Sequence, residues 1–191
     1  MKNWNLFQKL GFVLIVLSLV VLIADKCLVN YYRNATAQLL QQIEYLVPNA
    51  ETGNPADYSD AQLPVLQLDG QEFSARICFP DYGCTLPMAH HWDTRTVSKY
   101  PCRFWGSLYD GTLVVGGKDQ TGQFDFFHRM DIGDIVIITD MTGVQFHFLV
   151  SRIDRSKAAD SDILIQDSWD LTLFARDAQS LEYILIRCNY H

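Results

Sequence analysis

The sequence lacks several features that would place it in a familiar class. It has only five cysteines in 191 residues, too few for the disulfide framework of a small secreted domain. Basic residues are the minority, with 15 Lys and Arg against 22 Asp and Glu, which gives a net charge of -7. A nucleic-acid partner requires a basic face, so none is expected. The sequence contains no internal repeat and no low-complexity tract.

A metal centre or a serine triad is equally unsupported. The neighbouring His90 and His91 are expected to point to opposite faces of an extended run. Neither they nor His128 or His147 have a Cys or a carboxylate at a ligand spacing. No serine lies in a G-x-S-x-G context. We therefore predict no metal and no cofactor.

One long apolar run is present near the N-terminus. Residues 10–24 read LGFVLIVLSLVVLIA without a charge, and as a helix they extend over roughly 22 Å. Lys9 and Lys26 flank the run and extend its effective span. Its end, Ala-Asp-Lys-Cys, resembles no signal-peptide cleavage site. Because Lys2 and Lys9 precede it, we predict a single-pass plasma-membrane anchor with a cytoplasmic N-terminus and an extracellular remainder.

The residues after the anchor form a stalk and a linker. Within residues 31–46, Leu39, Leu40, Ile43 and Leu46 recur at helical spacing and predict a juxtamembrane helix that packs one apolar stripe on the following domain. Residues 48–62 are polar and rich in turn formers, which indicates a linker. The predicted domains are therefore an anchor at 1–27, a helix with linker at 28–62 and a globular domain at 63–191.

The globular domain reads as mainly β. Its predicted strands are short apolar runs separated by turn signals: FSARICF, TLVVGG, DIVIITD, VQFHFLVSRI, ILIQD, LTLF and YILIRC. Asp140 to Gly143 predicts a hairpin turn, and only residues 123–130 look helical. Many short strands at this spacing predict a closed barrel or a sandwich. Cys78 and Cys84 enclose a short loop, and we leave open whether they form a disulfide, whereas Cys102 and Cys188 read as buried apolar residues.

Four stretches of this domain, in order and in spacing, resemble the sortases, cysteine transpeptidases of Gram-positive bacteria that anchor or polymerise surface proteins. The resemblance is nearest to class B and covers about residues 71–188. The matching stretches are CTLPM followed by Trp92, YPCRFWGS at 100–107, LVVGG at 113–117 followed by Phe124 and Gly133-Asp134, and WDLTLF at 169–174 followed by Ile186-Arg-Cys188. The resemblance implies a closed β-barrel with one or two short helices, preceded by the transmembrane and juxtamembrane helices.

The resemblance fails at the positions that carry sortase chemistry. A sortase requires a cysteine nucleophile, a histidine acid-base and an arginine that steadies the oxyanion or the substrate. Aligned to the family, these positions fall on Arg176, Lys118 and Tyr183, and the residue before the nucleophile is Ala175. Arginine has no available lone pair, lysine is a poor proton shuttle at neutral pH, and tyrosine carries no charge.

Two acids and one aromatic residue complete the candidate binding positions. Asp119 and Asp177 follow the replaced positions directly. We favour salt bridges to Lys118 and Arg176 over the alternative that the two cations hold a carboxylate or phosphate. Ala175 and Trp105 are included as candidate binding residues, although tryptophans in this domain more often serve in core or rim packing.

The combined interpretation is a sortase-like protein that has lost catalysis. We expect it to bind a surface-protein or pilin peptide, or a catalytic sortase, along its groove. Two alternatives remain open: an unconventional transpeptidase or hydrolase that uses Lys118, and a purely structural ectodomain.

Overall fold

The computed structural model describes residues 6–47, 52–58, 61–166 and 168–191. Lys2, Asp167 and parts of the predicted linker (48–51 and 59–60) lie outside the described residues. The chain divides into two compact units, one up to Ala35 and the other from Thr36 to His191.

One helix, α1 (Leu6–Leu46), covers both the predicted membrane segment and the predicted juxtamembrane helix. No glycine or proline lies between Ala24 and Leu46, so the sequence holds no helix breaker between the two. In the first unit, the apolar side chains are exposed, for example Leu14 at 57% and Ile15 at 62%. Among the described residues, α1 alone is long and apolar enough to cross a membrane.

The last turns of α1 belong to the second unit and pack within it. Leu39 and Ile43 are buried with Phe73 and Ala89 of the sheet. The predicted apolar stripe is therefore confirmed at these two helix positions. It is wrong at Leu46, which is 53% exposed, although this residue shares the helix face of Leu39 and Ile43. The helix ends at Leu46, and the next residue, Val47, is buried instead.

Nine strands follow within the described residues. They are β1 (Leu66–Leu68), β2 (Gln71–Phe79), β3 (Cys84–Ala89), β4 (Cys102–Trp105), β5 (Leu113–Lys118), β6 (Ile135–Asp140), β7 (Gln145–Ser156), β8 (Leu171–Arg176) and β9 (Tyr183–Tyr190). A short helix, α2 (Ser161–Leu164), connects β7 to β8. The predicted turn from Asp140 to Gly143 is confirmed between β6 and β7.

The sheet closes into a barrel of eight strands. Its order is β2-β3-β4-β5-β8-β9-β7-β6, and β6 pairs back onto β2, while β1 adds to the edge of β2. The pairs β3–β4 and β5–β8 are parallel, and the others are antiparallel. The predicted mainly β, closed-barrel fold is confirmed.

Strand alternation gives the barrel an inside and an outside. On β8, Leu171, Leu173 and Ala175 face the main core, whereas Phe174 belongs to a separate cluster on the outer face. This outer cluster also contains Leu164 of α2. The segment that connects β7 to β8 therefore covers part of the outer surface of the barrel.

Two local predictions are wrong. The predicted helix at 123–130 forms only a 3₁₀ turn, Phe127–Arg129, because Phe124, Phe126 and Phe127 are all drawn into the barrel core. The predicted strand ILIQD begins instead as α2. Its backbone carbonyls bond to a buried arginine side chain rather than to a neighbouring strand. Strands β1, β3 and β4 were not predicted.

Candidate functional site

Three neighbouring strand ends bring the replaced positions together. Lys118 ends β5, and its register partner on the parallel strand β8 is Arg176. Arg176 is in turn the register partner of Tyr183, which begins β9. Adjacent strands lie about 4.8 Å apart, so the three residues form one row across the sheet. The structure therefore places side by side the three positions that the sequence comparison selected.

The row lies at one end of a groove on the outer face of the barrel. We call this groove, with a volume of about 280 Å³, the cationic groove. Its lining residues come from five parts of the chain and are Trp92, Val97, Phe104, Gly117, Lys118, Ala159, Leu164, Phe174, Arg176 and Tyr183. Most of this surface is apolar, and the two cations are its charged members.

Three aromatic rings build the wall of the groove. Trp92 stacks on Phe174 with ring centroids 5.7 Å apart, and Phe104 meets both of them edge-on. Gly116 makes this packing possible, because a Cβ there would lie 2.3 Å from Trp92 Cζ3 and 2.5 Å from Phe174 Cζ. Trp92 remains 40% exposed, so the wall is accessible to a ligand.

A buried arginine holds α2, which contributes Leu164 to the lining of the groove. Arg187 of β9 is 1% exposed and donates to the backbone oxygens of Ile163 and Leu164 in α2. It also donates to Thr172 Oγ1 at 2.9 Å, and its Nε lies 3.6 Å from Asp154 Oδ2. Arg187 thereby fixes α2, and with it Leu164, over the outer face of the strands.

Asp177 does not pair with Arg176, contrary to the prediction. Its Oδ2 accepts from Arg155 at 3.1 Å and from Ser180 Oγ at 2.9 Å. Its Oδ1 accepts from the backbone N–H groups of Gln179, at 2.7 Å, and Ser180, at 3.3 Å. These hydrogen bonds, that of Gln179 first, lower the pKa of Asp177 to about 2. The carboxylate holds the β8–β9 turn and is committed there because that turn supplies nearer donors.

Asp119 does not pair with Lys118 either. Its Oδ2 accepts from the backbone N–H of Ala178 at 2.9 Å, which ties the loop after β5 to the β8–β9 turn. The ion pairs found within the described ranges include neither Lys118 nor Arg176. The predicted salt bridges are therefore wrong, and the two cations of the row face the groove without a carboxylate.

Arg176 itself has one internal hydrogen bond. Its Nε donates to the backbone oxygen of Leu181 at 3.1 Å, and Leu181 adopts a positive φ of 63°, which is rare for a leucine. For the terminal nitrogens of Arg176, no acceptor is found in the described part of the chain. The guanidinium is held through Nε, and its two terminal nitrogens are left to donate to a carboxylate or phosphate.

The other two candidate binding residues lie elsewhere. Ala175 is 1% exposed and points into the barrel core, because strand alternation turns it away from the face of Phe174 and Arg176. Trp105 lines an adjacent groove of about 630 Å³ together with His90, His91 and Arg103. This second groove shares Trp92 and Phe104 with the cationic groove, but the structure does not bring Trp105 to the row itself.

The two histidines of that second groove pack against each other. The ring centroids of His90 and His91 are 4.5 Å apart, so the expectation that they point to opposite faces is wrong, because β3 ends at Ala89 and strand alternation ends with it. Within the described residues, no group of three or more His, Cys, Asp or Glu side chains is arranged to hold a metal ion.

No thiol lines the cationic groove in the part of the chain that the structure describes. All five cysteines are free, including Cys78 and Cys84, and Cys102 and Cys188 are buried as predicted. Burial raises the pKa of Cys84 to about 11 and that of Cys102 to about 12, and it also raises the pKa of Cys188. These three thiols are therefore not poised as nucleophiles.

Three features of the site escaped the sequence interpretation. Arg155 was not considered as a partner of Asp177, because β7 and the β8–β9 turn are distant in sequence. Phe174 was read only as part of a motif, although its alternation with Ala175 places it on the outer face. Arg187 was likewise read as part of a motif, and a single arginine in an apolar strand is the signal that could have marked it.

Comparison with known proteins supports the fold. No protein-family model matches this sequence, and no curated protein matches it. Solved structures of sortases do match in fold. A sortase A lid mutant from Corynebacterium diphtheriae is 22% identical with a TM-score of 0.57, over 83% of this chain and 93% of that chain. Sortase C1 from Streptococcus agalactiae is 18% identical with a TM-score of 0.57, over 72% and 75%. The sortase D5 transpeptidase from Clostridium perfringens is 16% identical with a TM-score of 0.55, over 62% and 79%. The chain therefore has a sortase-like fold.

Proposed function

We propose that this chain is a membrane-anchored, non-catalytic peptide-binding protein built on a sortase-like barrel. Helix α1 crosses the plasma membrane once with the N-terminus in the cytoplasm, and the barrel lies at the cell surface of a Gram-positive bacterium. The ligand is a peptide of a surface protein or pilin, or a segment of a catalytic sortase. The cationic groove is the binding site.

One observation carries the non-catalytic half of the proposal: Arg176 stands in the groove where the resemblance to sortases expects the nucleophilic cysteine. A guanidinium cannot attack a peptide carbonyl, since it keeps its proton at any physiological pH. A neighbouring general base has nothing to activate there, because no thiol lines the groove among the described residues.

The remaining replaced positions agree with a binding role. The exposed Lys118 supplies a point charge, and Tyr183 supplies one hydroxyl group for hydrogen bonding. Neither residue combines with Arg176 to give the nucleophile, acid-base and oxyanion donor of acyl transfer. All three offer hydrogen-bond donors on one side of an apolar groove.

The aromatic lining of the groove and the fixed position of α2 support ligand binding rather than a purely structural role. The Trp92–Phe174 stack leaves apolar surface accessible. Arg187 donates hydrogen bonds that hold α2 in place on the strands. A groove with rigid aromatic walls and few polar groups is typical of a ligand site. An extended peptide can lie along such a surface without any covalent step.

The charge of the domain limits the partner further. The first 27 residues hold three of the 15 basic residues and one of the 22 acidic ones, so the rest of the chain carries about -9 against -7 for the whole. An acidic domain is repelled by anionic lipid headgroups. A protein or peptide partner is therefore favoured over the membrane surface itself.

The test uses the full chain in lipid nanodiscs with peptides from surface proteins or pilins encoded beside it. We expect saturable binding in fluorescence anisotropy, no cleavage by mass spectrometry, and weaker binding of Arg176→Gln. Arg129→Gln is the matched control, because Arg129 is also exposed and lies outside the groove lining. Turnover that Lys118→Ala abolishes would replace the proposal with an unconventional enzyme, and absence of both binding and turnover would leave a structural ectodomain.

Membrane topology needs its own measurement. We expect an N-terminal epitope tag to survive protease treatment of intact protoplasts, while the protease digests the exposed barrel domain from outside. Digestion of the tag with protection of the barrel would reverse the proposed orientation.

A further inference from the structure

We propose that the cationic groove recognises a free carboxylate, namely the C-terminal carboxylate of its peptide ligand, through Arg176 and Lys118. This inference rests on the proposed peptide-binding function and names the chemistry that the ligand must carry. It starts from the finding that the two cations have no carboxylate partner within the described residues.

The register of β5 and β8 places the two cations side by side. Lys118 and Arg176 end parallel strands at paired positions and alternate onto the same outer face, with Gly116 and Phe174 two residues before them. Two positive charges on neighbouring strand ends repel each other. A single anion placed between them removes that repulsion and gains hydrogen bonds from both.

The two neighbouring acids, Asp119 and Asp177, are engaged elsewhere. Asp177 spends both oxygens on the β8–β9 turn and Arg155. Asp119 spends Oδ2 on Ala178 N–H. Moving Asp177 to the cations would open the β8–β9 turn, and moving Asp119 would release that turn from the loop after β5. An anion from a ligand can reach the cations without either loss.

The orientation of Arg176 suits a planar anion. Its Nε is fixed on the Leu181 oxygen, in a turn that Asp177 holds together. The two terminal nitrogens remain as a planar pair, and a planar carboxylate accepts from such a pair in bidentate fashion. Lys118 adds a charge beside it, and Tyr183 on the other side adds a hydroxyl group.

The size and lining of the groove fit the end of an apolar peptide. At about 280 Å³, it is near the lower end of the ~300–1,000 Å³ typical of ligand sites. That volume suits the last few residues of a peptide better than a long segment. The apolar wall of Trp92, Phe104 and Phe174 suits apolar side chains before the carboxylate.

A polyphosphate or another polyanion is the competing ligand, and it is disfavoured. The acidic excess outside the anchor opposes the approach of a chain of negative charges. A single carboxylate gains from the two local cations and brings little further negative charge. The C-terminal carboxylate of a peptide is therefore favoured over a polyanion as the ligand of the two cations.

The experiment measures the affinity of short peptides for the full chain in phosphatidylcholine nanodiscs by calorimetry. The probes are mixed-sequence N-acetyl apolar tripeptides with a free C-terminus, the same mixture as C-terminal amides, N-acetyl-Ala-Leu-Asp-amide, and inorganic phosphate. We expect the free acids to bind at least about 10-fold more tightly than the amides, since an amide cannot accept the charge-assisted hydrogen bonds that a carboxylate accepts. Arg176→Gln should abolish the difference, Arg176→Lys should retain part of it, and Arg129→Gln should leave it unchanged.

The other outcomes separate this inference from the proposed function. Equal binding of acids and amides keeps the peptide-binding function and overturns the carboxylate assignment. Equal binding of the Asp-containing amide moves the assignment from the chain terminus to an acidic side chain. Tighter binding of phosphate than of the free acids makes this a phosphate site instead, and absence of binding to all the peptides overturns both proposals.

Discussion

Two arginines on neighbouring strands divide the outer face of the barrel into a closed end and an open end. Arg187 on β9 is 1% exposed and bonds to α2, Thr172 and Asp154. Arg176 on β8 is exposed and donates one hydrogen bond, to Leu181. An arginine side chain thus holds the structure together at one end and is available to bind a ligand at the other. The difference lies in what covers each end, not in the residue type.

The largest effect is expected at the closed end. Arg187→Ala removes the donors of the two α2 carbonyls and of Thr172 Oγ1, and leaves Arg152 as the remaining ion-pair partner of Asp154. Three buried acceptors then lack a donor, which should lower the free energy of unfolding by roughly 3–5 kcal/mol. Chemical denaturation of the full chain in detergent, followed at the barrel, measures this loss.

Arg129→Ala is the control. It removes an exposed cation–π contact with Tyr82 and should cost no more than about 1 kcal/mol. A similarly small loss for Arg187→Ala would mean that α2 is held by its apolar contacts alone.

A smaller effect is expected between the two ends, at Gly116. Gly116→Ala places a Cβ against the stacked rings of Trp92 and Phe174, so the rings must move, at a cost of about 1–3 kcal/mol. Because these rings form the groove wall, peptide binding should weaken as well. Denaturation and anisotropy on the same preparation check both effects. Unchanged stability with unchanged binding would show that the wall adapts without cost.

The next prediction concerns the turn beside the open end. The folded pKa of Asp177 is about 2, below its ordinary value of 3.8, so its stabilising effect is complete above about pH 4 and is lost as the pH falls toward 2. Asp177→Asn should therefore be less stable than the parent at pH 7, and the gap should narrow between pH 4 and pH 2. Paired thermal melts at pH 7, 4 and 2.5 measure it. A gap that is constant across these pH values would contradict the role assigned to the ionised carboxylate.

The smallest effect on stability is expected at the open end. Arg176→Gln removes one exposed hydrogen bond, so the free energy of unfolding should change by no more than about 0.5 kcal/mol. The same variant should lose the preference for a free carboxylate. If it unfolds as readily as Arg187→Ala, then the two arginines play the same structural role and the contrast between them disappears.

The fold was largely predictable from the sequence because alternation and turns are local signals. Runs such as DIVIITD and LTLF appear as β6 and β8, and the turn at Asp140 joins two strands as expected. The strand predicted for ILIQD is wrong because a short, mainly apolar run fits a strand and a helix equally well. Only the buried arginine beneath it, Arg187, decides in favour of α2.

The sequence predicted which residues form the row, but it did not predict the ion pairs around them. The motif order selected Lys118, Arg176 and Tyr183, and the strand register places them side by side. The pairing of Asp177 with Arg155 depends on a contact between distant segments, which adjacency in sequence cannot reveal. Short sequence distance suggests the wrong ion pairs because both acids lie just beyond the strand ends, where backbone N–H groups of the β8–β9 turn bind their carboxylates.

The parallel pairing of β5 with β8 also has a kinetic consequence. The two strands are separated in the chain by β6, β7 and α2, so their ends meet only after a long loop has closed. Pairings of this kind slow folding, because the entropy of closure is lost before the contact is gained. The row of Lys118 and Arg176 should therefore assemble among the last parts of the barrel. A ligand that joins the two strand ends would bind only the finished fold and would slow its unfolding.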